Sequence, residues 1–206
     1  MPQINIESLT VGEVAANCYL VENAETHELF LVDPGAEAER IISRIGGRKP
    51  VAVLLTHAHF DHIGAADTLC RRFGIPLYVH RDDASKLTDP MGNVSGLFGM
   101  PMTIETKPSV WLEGGETLRL GGMEVEVLHT PGHSAGSVCY LMREEPCIFT
   151  GDTLFANGYG RTDFPDGSFS QLRQSLRMLF SLTPRMITYP GHDIPGFAGR
   201  DESEEA

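Results

Sequence analysis

The chain of 206 residues carries a formal charge of -12, with 28 acidic residues against 16 basic ones. That balance excludes the basic patch a nucleic-acid-binding protein needs, and no run reaches the roughly 18 apolar residues of a membrane span. The length suits one domain with a substantial core, and Met1-Pro2-Gln3-Ile4-Asn5 has neither the basic nor the apolar segment of a secretory leader, so a soluble cytoplasmic protein is expected.

Three strands in a meander are predicted at Ile4–Leu9, Asn17–Val21 and Glu28–Val32, with polar turns at Gly12-Glu13 and Glu22–Thr26 between them. The third ends in Asp33-Pro34-Gly35. Asp33 reads either as a turn signal or as a carboxylate that hydrogen-bonds a ligand histidine. Ala38, Ile41, Ile42 and Ile45 have helical spacing, which predicts a helix over Ala36–Ile45 stopped by Gly46-Gly47.

The apolar run 51–55 predicts a buried strand, and Thr56-His57-Ala58-His59-Phe60-Asp61-His62 follows it directly. A helix over 61–73 comes next, with Ile63, Ala66, Leu69, Cys70 and Phe73 on one face. The cluster therefore sits where a strand's C-terminal end turns into a helix, the usual place for ligands in open α/β sheets. His57 and His59, two apart in an extended turn, can converge on one ion, whereas Asp61 and His62 open the helix and point differently. Two neighbouring ions fit better than one, held by the nitrogen and carboxylate ligands that hydrolytic metals use.

A short strand is predicted at Pro76–Val79. His80, beside Arg81-Asp82-Asp83, is expected at the surface and is not counted as a ligand. Residues 88–108 have no periodicity but carry Met91, Leu97, Phe98, Met100 and Met102 among glycines and prolines. Such a segment suits a lid, a subunit contact of a homodimer, or a cover over a sheet edge.

The second half repeats the order of strand followed by ligand-bearing turn. Strands are predicted at Ser109–Leu112, Thr117–Leu120 and Met123–Leu128, before Pro131-Gly132-His133. Ser137–Met142 and Cys147–Thr150 follow, the latter ending at Gly151-Asp152. An amphipathic helix over 168–181 presents Phe169, Leu172, Leu176, Leu179 and Phe180, and a last strand, Met186–Tyr189, ends at Pro190-Gly191-His192. His133, Asp152 and His192 thus share one placement, in a glycine turn after a short apolar strand, and complete two ion sites. Cys18, Cys70, Cys139 and Cys147 show no C-x-x-C spacing and read as reduced core residues, with a Cys139–Cys147 hairpin disulfide the alternative.

The order H-x-H-x-D-H, P-G-H, G-D, P-G-H resembles the metallo-β-lactamase superfamily over about the first 192 residues. The resemblance implies an α+β fold, a four-layer αββα sandwich, in a single metallo-hydrolase domain at 1–196 with an acidic tail at 197–206. It implies His57, His59 and His133 on one metal, Asp61, His62 and His192 on the other, Asp152 bridging, and Asp33 behind a ligand histidine. Gly151-Asp152-Thr153-Leu154-Phe155 with Gly160-Arg161-Thr162-Asp163 is similar to the small bacterial branch related to glyoxalase II. Asp193-Ile194-Pro195-Gly196 departs from the family's usual Gly-Pro-x-Thr, and the basic C-terminal helical region that holds glutathione in larger members is absent, so weak carrier recognition is expected.

The chemistry implied is hydrolysis of a small-molecule hydroxyacyl thioester such as S-D-lactoylglutathione, by a hydroxide shared between two divalent ions, zinc first with iron or manganese as alternatives. Asp61 would orient the nucleophile. A thiolate leaves without a general acid, and the sequence nominates no clear acid, which favours thioesters over lactams. Arg161 and Asp163 are expected to pair and support the site loop, with Arg161 the first candidate to touch substrate. The alternatives are a mononuclear iron persulfide dioxygenase, or a hydrolase of another ester or lactone.

Overall fold

The computed structural model describes residues 3–182 and 186–196; the acidic tail expected at 197–206 lies outside the described residues. Strands β1 (Ile4–Val11), β2 (Ala16–Asn23), β3 (Glu28–Val32), β4 (Lys49–Leu54), β5 (Leu77–His80) and β6 (Val110–Leu112) form one sheet in sequence order. Its first two pairings are antiparallel and the rest parallel. The second sheet has the order β11-β10-β9-β8-β7, from β7 (Thr117–Leu120), β8 (Met123–His129), β9 (Val138–Met142), β10 (Cys147–Gly151) and β11 (Ile187–Pro190). The helices are α1 (Ala38–Ile45), α2 (Phe60–Ile63), α3 (Ala66–Phe73) and α4 (Phe169–Leu182).

Alternation along the strands makes the layers. Successive side chains of a strand point to opposite faces, so a strand apolar at every position must be covered on both. In β2, Cys18 and Leu20 face the helical layer of α1 and α3, while Tyr19 and Val21 face the other sheet. β3 divides the same way, Leu29 and Leu31 against Phe30 and Val32. In the second sheet, Tyr140, Met142 and Phe149 enter the inter-sheet core, while Cys139, Leu141 and Ile148 pack on Leu172, Leu176 and Leu179 of α4. Three apolar cores between four layers result, in the order αββα. All four cysteines lie free in these cores, so the Cys139–Cys147 disulfide is not formed.

The predicted strands recur, with ends that differ by no more than two residues. The helices differ more. Glu37 has a φ of 55°, outside the right-handed region, so α1 begins at Ala38 rather than Ala36. The helix expected over 61–73 is two pieces, α2 and α3, broken at Gly64-Ala65. At the break the chain turns against the Asp33-Pro34-Gly35 corner: Ala65 N–H donates to the Pro34 carbonyl at 2.8 Å, and a Cβ on Gly64 would lie 2.3 Å from the Gly35 carbonyl oxygen. In α4, Phe169 and Phe180 are half exposed, and three leucines carry the packing.

His80 corrects an expectation outright. It is buried, at 3% exposure, because its ring stacks on His129 with centroids 4.1 Å apart and its Nδ1 accepts the Asp82 N–H at 3.2 Å. Asp83, read with it as surface, is fully buried, and a 3-10 turn at Ala84–Thr88 follows that periodicity did not signal.

Candidate metal centre

β3, β4 and β5 run parallel, as do β10 and β11, while β8 and β10 both oppose β9 and so share a direction. The turns after β3, β4, β5, β8, β10 and β11 therefore open on one edge of the sandwich. The two sheets are tied there by Val138 N–H to the Thr56 carbonyl at 2.8 Å and Asn17 N–H to the Gly191 carbonyl at 2.7 Å.

All seven side chains proposed as ligands converge on this edge, in two groups. One is His57, His59 and His133, and the other Asp61, His62 and His192; within each, one ligand atom per residue lies within 4.8 Å of the rest. His59 Nδ1 and His133 Nε2 are 2.9 Å apart. Asp152 stands between the groups. Its Oδ2 is 3.5 Å from His133 Nε2 and 3.6 Å from His192 Nε2, and its Oδ1 is 3.6 Å from His62 Nε2. Asp61 Oδ2 lies 3.2 Å from His192 Nε2 and 3.5 Å from His62 Nε2.

These spacings test whether metal ions fit. Ligands bound tetrahedrally at about 2.0–2.2 Å are separated by roughly 3.3–3.6 Å, which matches the separations around Asp61 and Asp152. His57 Nε2, His62 Nε2 and Asp152 Oδ1 are buried with no hydrogen-bond partner, an arrangement that proteins avoid unless a ligand satisfies the atoms. The residues fit two divalent cations.

Hydrogen bonds behind the rings set the tautomers. Asp33 accepts the Thr56 N–H at 2.7 Å, the Thr56 hydroxyl at 2.5 Å and the His62 Nδ1–H at 3.0 Å. With its proton committed to Asp33, Thr56 Oγ1 can only accept from His57 Nδ1, 3.1 Å away. His133 Nδ1–H donates to the Arg161 carbonyl at 2.8 Å. Each arrangement occupies Nδ1 and turns Nε2 inward. Asp33 holds a φ of 50°, a conformation that Asp tolerates better than most residues. Gly191 is required by closeness: a Cβ there would sit 2.2 Å from Asp152 Oδ1.

Burial and the neighbouring imidazoles push His57 and His59 well below the ordinary histidine range, so both are neutral. Burial also acts downward on His62, but the Asp61, Asp33 and Asp152 carboxylates outweigh it and raise that ring to about 10. Burial would raise Asp61, yet His62 and His192 hold it well below the carboxylate range. With His57 and His59 neutral and Asp61 ionised, the centre favours a positive charge.

A cavity of about 350 Å³ opens onto the ligands, with an apolar wall of Val14, Phe60, Val94, Phe98, Phe155 and Phe164. Phe98 and Val94 belong to the irregular 88–108 segment, so part of it borders the site, while Ile104 anchors it in the helical-side core. Arg161 and Asp163 pair through two contacts of 2.6 Å, and the guanidinium lies 4.3 Å over the Phe164 ring. Arg161 lines the cavity, and its backbone carbonyl orients His133.

Residues 11–192 match the model of the metallo-beta-lactamase superfamily. The chain is 37% identical to hydroxyacylglutathione hydrolase GloC of Haemophilus influenzae, over 92% of this chain and 91% of that one. It is 38% identical to a probable metallo-hydrolase, YqgX, of Bacillus subtilis, over 90% and 85%. Among solved structures, the BLEG-1 B3 metallo-beta-lactamase superposes with a TM-score of 0.89 at 36% identity, covering 93% of each chain. TTHA1623 in a di-iron-bound form gives 0.82 at 36% identity, covering 93% and 94%. ETHE1 from Myxococcus xanthus gives 0.76 at 31%, covering 95% of this chain and 77% of that one.

Proposed function

We propose, for a chain that belongs to the metallo-beta-lactamase superfamily, that its two-ion centre hydrolyses thioesters of small 2-hydroxy acids. The superfamily accounts for a metal-dependent hydrolase; the thioester is this chain's own reading, supported by the likeness to a hydroxyacylglutathione hydrolase. The observation that carries it is the chemistry of the cavity wall. Apart from the ligands, its titratable lining among the described residues is Arg161 and Asp193. An arginine does not give up its proton, so Arg161 cannot serve an amine leaving group. A thiolate, with a thiol pKa of about 8.5, needs no such donor.

Divalent ions held by the seven ligands would supply Lewis acidity at the carbonyl and a water acidified towards neutrality. The protein's residues do the rest. Asp61, kept ionised, is an acceptor only, and it can orient a water proton but cannot donate one. His62 is held against Asp33 and cannot swing, so the donor set is preorganised before substrate arrives. The six apolar side chains exclude water around the acyl group and strengthen every electrostatic contact inside. Zinc, iron and manganese all suit this mixture of nitrogen and carboxylate ligands.

The test compares protein loaded separately with each of these metals against S-D-lactoylglutathione, a D-lactoyl thioester of another thiol, a β-lactam, and a persulfide with oxygen uptake recorded. Thioester turnover exceeding β-lactam turnover by about a hundredfold in kcat/KM, or about 2.7 kcal/mol, is expected. Oxygen uptake with the persulfide and no thioester turnover would replace the reading with an iron oxygenase.

A further inference from the structure

We infer that Asp83 is a positioning residue for the three-histidine half of the centre, and that Lys86 and Asp166 carry its hold onto the loop that lines the cavity. The inference rests on the two-ion reading of the centre, but not on which ester is cleaved.

Asp83 is fully buried and reached by donors from two sheets. Its Oδ2 accepts the Ala58 N–H at 2.8 Å, from the residue between His57 and His59, and the Ser134 hydroxyl at 2.9 Å, from the residue after His133. Its Oδ1 accepts the Gly136 N–H at 2.8 Å and lies 2.8 Å from Lys86 Nζ. One carboxylate therefore sets the separation between the turn after β4 and the turn after β8, and these turns carry the whole three-histidine group. A Cβ on Gly136 would come within 2.6 Å of Asp83 Oδ1, so the approach is closed to larger residues.

Lys86 passes the connection on. Buried to 6% exposure, its Nζ lies 2.5 Å from Asp166 Oδ2 as well, in ionic contacts that are not aligned hydrogen bonds. Asp166 Oδ2 also accepts the Ala135 N–H at 2.9 Å. Its loop holds Phe164 edge-on to His59, with centroids 5.4 Å apart, and gives the Arg161 carbonyl to His133. Two carboxylates and one ammonium leave the triad net anionic behind the three-histidine group. That compensates a cation which, apart from the shared Asp152, has no carboxylate among its own ligands.

All four groups facing Asp83 are donors, so an isosteric amide must turn an NH2 against some of them and cannot satisfy the rest. Outer partners of metal ligands change metal affinity by about 10–100-fold when altered. The experiment is a double-mutant cycle read by zinc(II) affinity, from competition with a chromophoric chelator, and by unfolding of the metal-free protein. In a His192→Ala background, which keeps the three-histidine group intact, Asp83→Asn should weaken zinc by at least about tenfold. In a His133→Ala background it should change zinc binding by less than about twofold. Equal weakening in both backgrounds, or a lower Tm of the metal-free protein with affinity unchanged, would overturn the inference and leave Asp83 a packing residue. Should Asp83→Asn fail to fold, Ser134→Ala removes a single donor and should give the same asymmetry at about threefold. A wild type holding one zinc ion instead of two would overturn the two-ion reading by itself, and the cycle would still decide the role of Asp83.

Discussion

His57, His59 and His133 are almost wholly buried, whereas the Asp61 and His192 side chains keep 14% and 25% of their surface exposed. The two halves of the centre are also held by different means. The three-histidine half hangs from backbone: Asp83 grips Ala58 and Gly136, and the Arg161 carbonyl grips His133. The other half is gripped at a side chain, His62 by Asp33, and its last ligand turn is roofed by β2, through Asn17 Nδ2 and the Tyr19 hydroxyl on the Pro190 carbonyl. A buried half with no carboxylate of its own needs charge placed behind it. The more exposed half carries Asp61 and so has a carboxylate within it.

Asp152 belongs to both halves, so Asp152→Ala should weaken both ions and lower kcat/KM by about 10³-fold or more. Metal analysis showing loss of one ion alone would break the symmetry assigned to this residue. Asp61→Asn should lower kcat by about 10²–10³-fold with KM within about threefold, as expected where an interaction works mainly in the transition state. Its metal-free Tm should stay near wild type, because the side chain is partly open to solvent; a fall of many degrees would make Asp61 structural instead.

Gly191→Ala sharpens the contrast from the exposed side. The added Cβ meets Asp152 Oδ1 and lies 2.7 Å from His62 Cε1, an overpacking that costs about 1–3 kcal/mol, or about 3–10 °C in Tm. Calorimetry of the metal-free protein measures it, and an unchanged Tm would show that the Pro190-Gly191 turn yields.

The smallest effect concerns acid. Burial raises the Asp166 carboxyl, but Lys86 and the Ala135 N–H more than offset it and hold the group below the carboxylate range. A folded value below the unfolded one contributes stability above the ordinary carboxylate pKa of about 3.9, and loses it as pH falls through the folded value. The Tm difference between wild type and Lys86→Met should therefore be widest near neutrality and narrow below about pH 4. A difference that stays constant with pH would detach Asp166 from Lys86.

Much of this was legible one strand at a time. Alternation of Val125 and Val127 with Glu124 and Glu126 announces a strand, and H-x-H-x-D-H announces ligands, because both are local patterns of chemistry. Asp33 left two readings open on its own residues, and only its three hydrogen bonds to Thr56 and His62 separate them. Asp83 was misread for a related reason: flanked by Arg81 and Asp82, it looks solvated, and nothing nearby in sequence reveals four donors closing over it. The break at Gly64 was equally hidden, since its cause is the carbonyl of Gly35.

The sequence by itself determined which side chains can bind metal and which strands they follow, because strand period and ligand chemistry are set by neighbours along the chain. Tertiary structure alone decided that the two ligand groups meet on either side of Asp152, which imidazole nitrogen faces inward, and that Asp83 and Lys86 lie buried. Those outcomes depend on contacts such as Ser134 to Asp83, 51 residues apart, and Tyr19 to Pro190, 171 apart. A polar group is tolerated in the interior only when its partners arrive, and the partners come from the other sheet.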